Sequence, residues 1–256
     1  MRFAVGDIHG CLDELKRTLD LAGFSDSDRL YGVGDLCDRG TQNLETLEFL
    51  MGMKNFFTVF GDHDIWIYQY LDVSRRPRED YGLVRDVWLA NGGGSTLGQL
   101  PLPGMGDDIA SWLGSLPLTI DLEDAIIMHV PSPYVMERFS SVRNLRMEDL
   151  LGLHCMHDYD TFFWGRGILD FIGGDRMNCP FPAESFLASA EKRLVICGHN
   201  PVFSTPLYSP AYNILDIDTG AFAVPARGYD YNGRLTVFNI DERRWHQNDG
   251  SEGALP

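Results

Sequence analysis

Short apolar runs alternate with segments of helical spacing through the first quarter of the chain. Phe3-Ala4-Val5, Leu30-Tyr31-Gly32-Val33 and Phe56-Phe57-Thr58-Val59-Phe60 read as short buried strands. Between them Leu12, Leu15, Leu19 and Ala22 share one helical face, and Leu44, Leu47, Leu50 and Met51 share another. Strand, helix, strand, helix, strand is a βαβ progression, which implies a parallel sheet with right-handed crossovers. Ile65 to Leu71 reads as a short helix behind the third run. A further helix is expected over residues 83–90, stopped by Asn91-Gly92-Gly93-Gly94.

The second half is patterned differently. Apolar runs at 118–122, 125–129, 193–197, 213–217 and 234–240 resemble strands, some of them antiparallel. Residues 130–192 are rich in Pro, Gly and aromatic residues with little periodicity, the composition of loops that cap a site. Beyond Asp241 the chain is polar and weak in both periodicities, so a disordered tail over 241–256 is expected behind one α/β domain over 1–240. Gly106-Asp107 and Gly174-Asp175 read as simple turns.

Composition narrows the function. A chain of 256 residues supports a substantial core, and a formal charge of −16 supplies no basic stripe for general nucleic-acid binding. Met1-Arg2-Phe3 runs straight into the first strand-like run, so no signal peptide is expected, and no apolar run suits a bilayer span. Cysteines at 11, 37, 155, 179 and 197 form no Cys-x-x-Cys pair, so reduced thiols and a cytoplasmic location are expected.

The chemistry lies where the strand-like runs end. The first leads into Gly6-Asp7-Ile8-His9-Gly10, the second into Gly34-Asp35-Leu36-Cys37-Asp38-Arg39-Gly40, and the third into Gly61-Asp62-His63-Asp64. Later runs end in His129 and in Gly198-His199. Open α/β sheets gather ligands outside the carboxyl ends of their strands, so these tips can converge in one crevice. Carboxylates and imidazoles together suit Mn, Fe or Zn better than Mg or Ca, which points to a two-metal hydrolytic site. His154 and His157 lack a nearby fourth ligand and read as loop residues. Asp64 reads as a partner for neighbouring backbone, and Cys37 as packing.

These motifs resemble those of the calcineurin-like metallophosphoesterases, and within them the phosphoprotein phosphatase pattern GD-x-HG, GD-x-x-DRG, GN-H-[ED], His and GH. Trp88-Leu89-Ala90-Asn91-Gly92-Gly93 with Thr96-Leu97, and Ile217-Asp218-Thr219-Gly220-Ala221, extend the resemblance to about residue 240. It implies a four-layer α/β/β/α sandwich. It further implies one metal held by Asp7, His9 and Asp35, and a second sharing Asp35 and completed by Asp62, His129 and His199. Mn²⁺ is the metal that bacterial members suggest, with a bridging hydroxide as nucleophile. Arg39 and Arg166 would clamp phosphate, and His63, oriented by Asp38, would protonate the leaving group. Asp62 departs from the family's Asn. Unit charges at about 4 Å repel by about 4 kcal/mol at an effective dielectric near 20, which disfavours highly charged monoesters against diesters or anhydrides.

Three functions fit this resemblance. The leading one is hydrolysis of phosphomonoesters, with phosphoserine or phosphothreonine proteins as substrates. The alternative is hydrolysis of dinucleoside polyphosphates of the diadenosine tetraphosphate type. The third is a catalytically weak, metal-bound phospho-ligand binder.

Overall fold

Why the strand ends meet is visible in how the two sheets are built. A computed structural model describes residues 1–71, 81–100, 106–131, 146 and 190–256. The N-terminal progression is β1 (Arg2–Val5), α1 (Leu12–Leu21), β2 (Arg29–Gly32), α2 (Asn43–Gly52), β3 (Phe56–Thr58) and α3 (Asp62–Leu71). Next come α4 (Tyr81–Trp88), α5 (Gly94–Leu97) and α6 (Asp107–Gly114). The later strands are β4 (Thr119–Asp121), β5 (Ala125–Met128), β6 (Leu194–Cys197), β7 (Leu207–Ser209), β8 (Ile214–Asp216), β9 (Thr236–Asn239), β10 (Arg244–Gln247) and β11 (Glu252–Ala254).

One sheet has the order β11-β10-β9-β1-β2-β3 and the other β4-β5-β6-β8-β7. In the first, β1, β2 and β3 pair in parallel and β9 joins β1 antiparallel. In the second, β5, β6 and β8 run parallel between antiparallel edges. Period-2 alternation divides the apolar residues between two cores. Ala4, Tyr31, Val33, Ile127, Ile196, Leu215 and Phe238 belong to one buried cluster, drawn from the strands of both sheets. Their neighbours Phe3, Val5, Leu30, Ile126, Val195 and Cys197 belong to the larger cluster, with Leu12, Leu15 and Leu47 from the helices. This is the expected α/β/β/α sandwich of mixed sheets.

Three expectations are corrected. The segment after Asp241 is not a disordered tail: β10 pairs with β9, and β11 with β10, extending the first sheet at its edge. Its inward residue Gln247 is fully buried but polar, donating to the Ser204 carbonyl and to Thr236 Oγ1, so the apolar alternation that marks a strand is missing. Gly106-Asp107 is not an isolated turn but the start of α6, whose first turn carries Asp107 and Asp108 against the positive end of the helix dipole. Asn91-Gly92-Gly93-Gly94 does not stop the helix. A π turn over Leu89–Gly93 carries it on into α5, kinked at Gly92 with φ of 101°. Arg166, His154, His157 and the Gly174-Asp175 turn lie outside the described residues.

Deleting residues 242–256 removes two strands and uncovers β9 as an edge. Losing the burial of Trp245, worth about 2 kcal/mol, should lower Tm by at least about 5 °C in a chain of this size. Scanning calorimetry showing an unchanged Tm would mean the hairpin contributes nothing.

Candidate metal centre

Each motif sits where a strand stops. Asp7 and His9 follow β1; Asp35, Asp38 and Arg39 follow β2; Asp62 and His63 open α3 behind β3; His129 follows β5 and His199 follows β6. The turns there are strained. His9, Asp35, Asp38, Arg39 and His199 all hold left-handed φ angles, between 48° and 78°, a conformation that costs a residue with a side chain on the order of 1–3 kcal/mol. Gly198 is needed because a Cβ at that position would collide with Asp7 Oδ1.

The side chains converge, including all six positions expected to hold metal. Ligand atoms of Asp7, Asp35 and His129 lie together, as do those of Asp62, His129 and His199, and those of His9, Asp35 and His63. His9 Nε2 stands 3.5 Å from Asp35 Oδ2, and His129 Nε2 stands 3.4 Å from Asp35 Oδ1. Asp62 Oδ1 is 2.9 Å from His129 Nε2 and 3.1 Å from His199 Nδ1. Asp35 thus sits between the donors of one side and the other. Asp62, the departure from the family's Asn, is one of the converging donors.

Two features fit this donor set to divalent metal. Asp7 Oδ1 is buried without a hydrogen-bond partner, although Asp7 Oδ2 accepts the His199 backbone N–H at 3.0 Å. A buried carboxylate oxygen left bare is costly unless a cation meets it. His9 Nδ1 pairs with the Cys37 carbonyl at 2.7 Å and His129 Nδ1 with the Val33 carbonyl at 2.8 Å. Such bonds fix the ring and tautomer and aim Nε2 at the centre.

Electrostatics follow from burial. Burial, then Asp218 and Asp35, push the Asp7 carboxyl well above its ordinary range. Burial and Asp62 push Asp35 up to about 6. Asp62 goes the other way: burial opposes ionisation, but His63 and the bonds to His129 and His199 hold its carboxyl well below the usual value. Burial works against charging His129 as well, yet Asp35, Asp62 and Asp7 raise it well above an ordinary histidine.

A second constellation adjoins the first. His63 Nδ1 donates to Asp38 Oδ2 at 2.6 Å. Both Asp38 oxygens are held further, by Trp88 Nε1 at 2.8 Å and by the Thr96 hydroxyl. Asn43 Oδ1 and Thr96 Oγ1 accept the Asp38 backbone N–H. Trp88 and Thr96 were visible as a family segment, but nothing local in the sequence links them to Asp38, which lies 58 residues before Thr96. The Gly92 kink serves the same site, its carbonyl accepting the Arg39 N–H at 3.1 Å. Arg39 spans the two constellations, donating to His9 Nε2 at 2.6 Å and to His63 Nε2 at 2.9 Å. Asp64 accepts the backbone N–H groups of Asp35, Leu36 and Gly61, as a loop brace should. Cys37 is buried and its thiol is pushed well above its ordinary value by burial, which suits packing.

Two mixed sheets carrying a His/Asp metal-binding centre at their strand ends define a class. Residues 3–216 match the calcineurin-like phosphoesterases, and the chain belongs to that family. A symmetrical bis(5'-nucleosyl)-tetraphosphatase from Aromatoleum aromaticum is 34% identical over 138 residues, 52% of this chain and 42% of that protein. Its counterpart from Buchnera aphidicola is 31% identical over 178 residues, 66% of this chain and 55% of that protein. The aligned segments span about half the length of these curated relatives. Among solved structures, a cold-active protein-tyrosine phosphatase of a psychrophilic Shewanella superposes with a TM-score of 0.59 at 17% identity, covering 100% of this chain and 80% of that one. A protein serine/threonine phosphatase from Saccharomyces cerevisiae gives 0.60 at 15% identity, covering 92% of this chain and 71% of the other. At such identities the structures establish the fold alone.

Protons compete with metal for these donors. Asp7, Asp35 and His129 all have raised pKa values, so each holds its proton to higher pH than an isolated group. Metal loading must displace those protons, and affinity should rise with pH between about 5 and 8. Calorimetric titrations with Mn²⁺ in buffers of different ionisation enthalpy should show proton release. Asp35→Asn should lower metal content more than His199→Ala does, because Asp35 serves two donor groups.

Proposed function

We propose that the chain is a metal-dependent phosphoester hydrolase acting on dinucleoside polyphosphates. The likeness to symmetrical bis(5'-nucleosyl)-tetraphosphatases carries this choice of substrate over a phosphoprotein. The charge of Asp62 supports it, since an internal phosphoanhydride link carries less charge per phosphorus than a terminal monoester. Asp7, His9, Asp35, Asp62, His129 and His199 would hold two divalent ions, with Mn²⁺ the proposed metal. When bound, such a pair supplies an activated water and neutralises phosphoryl charge.

The remaining roles belong to this chain's own groups. A guanidinium only donates, so Arg39 facing both His9 Nε2 and His63 Nε2 requires each imidazole to offer a lone pair. Once His63 carries a proton on Nε2, Arg39 must turn away. A phosphoryl group, which its fork fits in a bidentate manner, is the natural acceptor. His63 then faces the leaving oxygen as a proton donor, held by Asp38, Trp88 and Thr96. Burial works against charging His63, but Asp35, Asp62 and the bond to Asp38 raise it above an ordinary histidine. That direction favours an acid near neutral pH. Arg166 is proposed as a second phosphate clamp.

A panel of diadenosine tetraphosphate, phosphoserine peptides and p-nitrophenyl phosphate, assayed with Mn²⁺, tests the substrate class. The dinucleotide should give the highest kcat/KM, with ADP as product. Turnover confined to the peptides would overturn this reading in favour of a phosphoprotein phosphatase, the function that the Trp88–Leu97 segment favours. His63→Asn should slow the best substrate and retain bound metal. Its cost should be larger for phenyl phosphate, up to about 10²–10⁴-fold, than for p-nitrophenyl phosphate, whose leaving group needs less protonation. Asp62→Asn should shift preference towards monoesters; an unchanged substrate profile removes charge as the explanation.

A further inference from the structure

We propose that Tyr229, backed by Phe222, forms a stacking subsite for the nucleobase of a nucleotide whose phosphate is gripped by Arg39. This builds on the dinucleotide reading above and names residues that would select a nucleoside phosphate over a plain one. A line of ring contacts leads outward from the metal centre. The Phe222 ring stands edge-on to His9 with centroids 5.0 Å apart, and Arg39 Cζ lies 4.5 Å from the Phe222 centroid. Tyr229 meets Phe222 in turn, 5.3 Å between centroids and near perpendicular at 76°. Phe222 is buried, but Tyr229 is 37% exposed and Tyr231, stacked on Phe203 at 4.2 Å, is 51% exposed. The ladder therefore begins at the Arg39 guanidinium, beside His9 and His63, and ends at Tyr229, open to solvent.

The loop carrying these tyrosines is held in place. Arg234 N–H donates to the Thr219 carbonyl and Gly233 N–H to the Ala223 carbonyl, closing its stem at 3.0 and 2.8 Å. Arg227 ties it to α1 through Glu14 at 3.3 Å. A fixed platform loses little entropy on binding, so stacking contributes more of its energy to affinity. Charge makes such a contribution useful. A chain of net charge −16 repels polyanions at long range, whereas a base offers a neutral face. Base stacking on an aromatic ring accounts for about tenfold or more in affinity and tolerates any base.

AMP and ribose 5-phosphate differ only in the base, so their dissociation constants isolate it. Titration calorimetry on the Mn²⁺-supplied chain should give at least about a tenfold preference for AMP. Tyr229→Ala should reduce that preference to near unity, and Tyr229→Phe should keep it. Equal affinities in the wild-type chain, or a preference that survives Tyr229→Ala, would overturn the subsite. A chain that cleaves diadenosine tetraphosphate yet binds AMP and ribose 5-phosphate equally keeps the proposed function and loses the subsite. The reverse pattern keeps the subsite and loses that function.

Discussion

Like charges packed out of water govern this molecule. Asp7, Asp35 and Asp62 are each nearly fully buried, and their ligand atoms crowd among His9, His129 and His199. Uncompensated, such a cluster would drive protons onto carboxylates, as the raised Asp7 and Asp35 already show. Cations resolve it: imidazolium in part, and divalent metal more completely. The arrangement favours what binds there over what folds most easily, and the left-handed turns at five of its residues carry the same signature.

The frame absorbs that cost through ordinary burial. Two sheets share an apolar interior from Ala4 to Phe238, and helices bury the other face of the first, so the strand ends are positioned by packing rather than by the polar groups they present. Loop braces do the finer work. Asp64 holds three backbone N–H groups, and Trp88 with Thr96 saturates Asp38, so His63 meets a carboxylate with little freedom to turn.

Substrate choice rests on different physics. The fold is shared with a protein-tyrosine phosphatase and a protein serine/threonine phosphatase, and a fold by itself does not separate a phosphoprotein from a dinucleotide. In the proposed reading discrimination comes from two features among the described residues, the charge on Asp62 within the donor set and the aromatic line from Phe222 to Tyr229. The first would disfavour a terminal monoester. The second would offer a base a ring to stack upon.

The sequence alone determined which residues meet at the centre and the strands that carry them, because Gly-Asp tips at the ends of apolar runs combine a local period with a fixed chemistry. It also determined the βαβ opening, where Leu12, Leu15 and Leu19 state the helical face directly. It did not determine β10, where the single inward apolar residue Trp245 is followed by an inward Gln247 satisfied by partners at 204 and 236, too short a trace of alternation to mark a strand. Nor did it determine the helix through Gly92, where a glycine-rich run reads as a stop but is kept by its bond to Arg39. The hold of Trp88 and Thr96 on Asp38, and the approach of Tyr229 to Phe222 beside Arg39, were decided by tertiary structure. Periodicity records which face of an element is apolar, whereas polar contacts between distant loops depend on where packing has already placed their backbones.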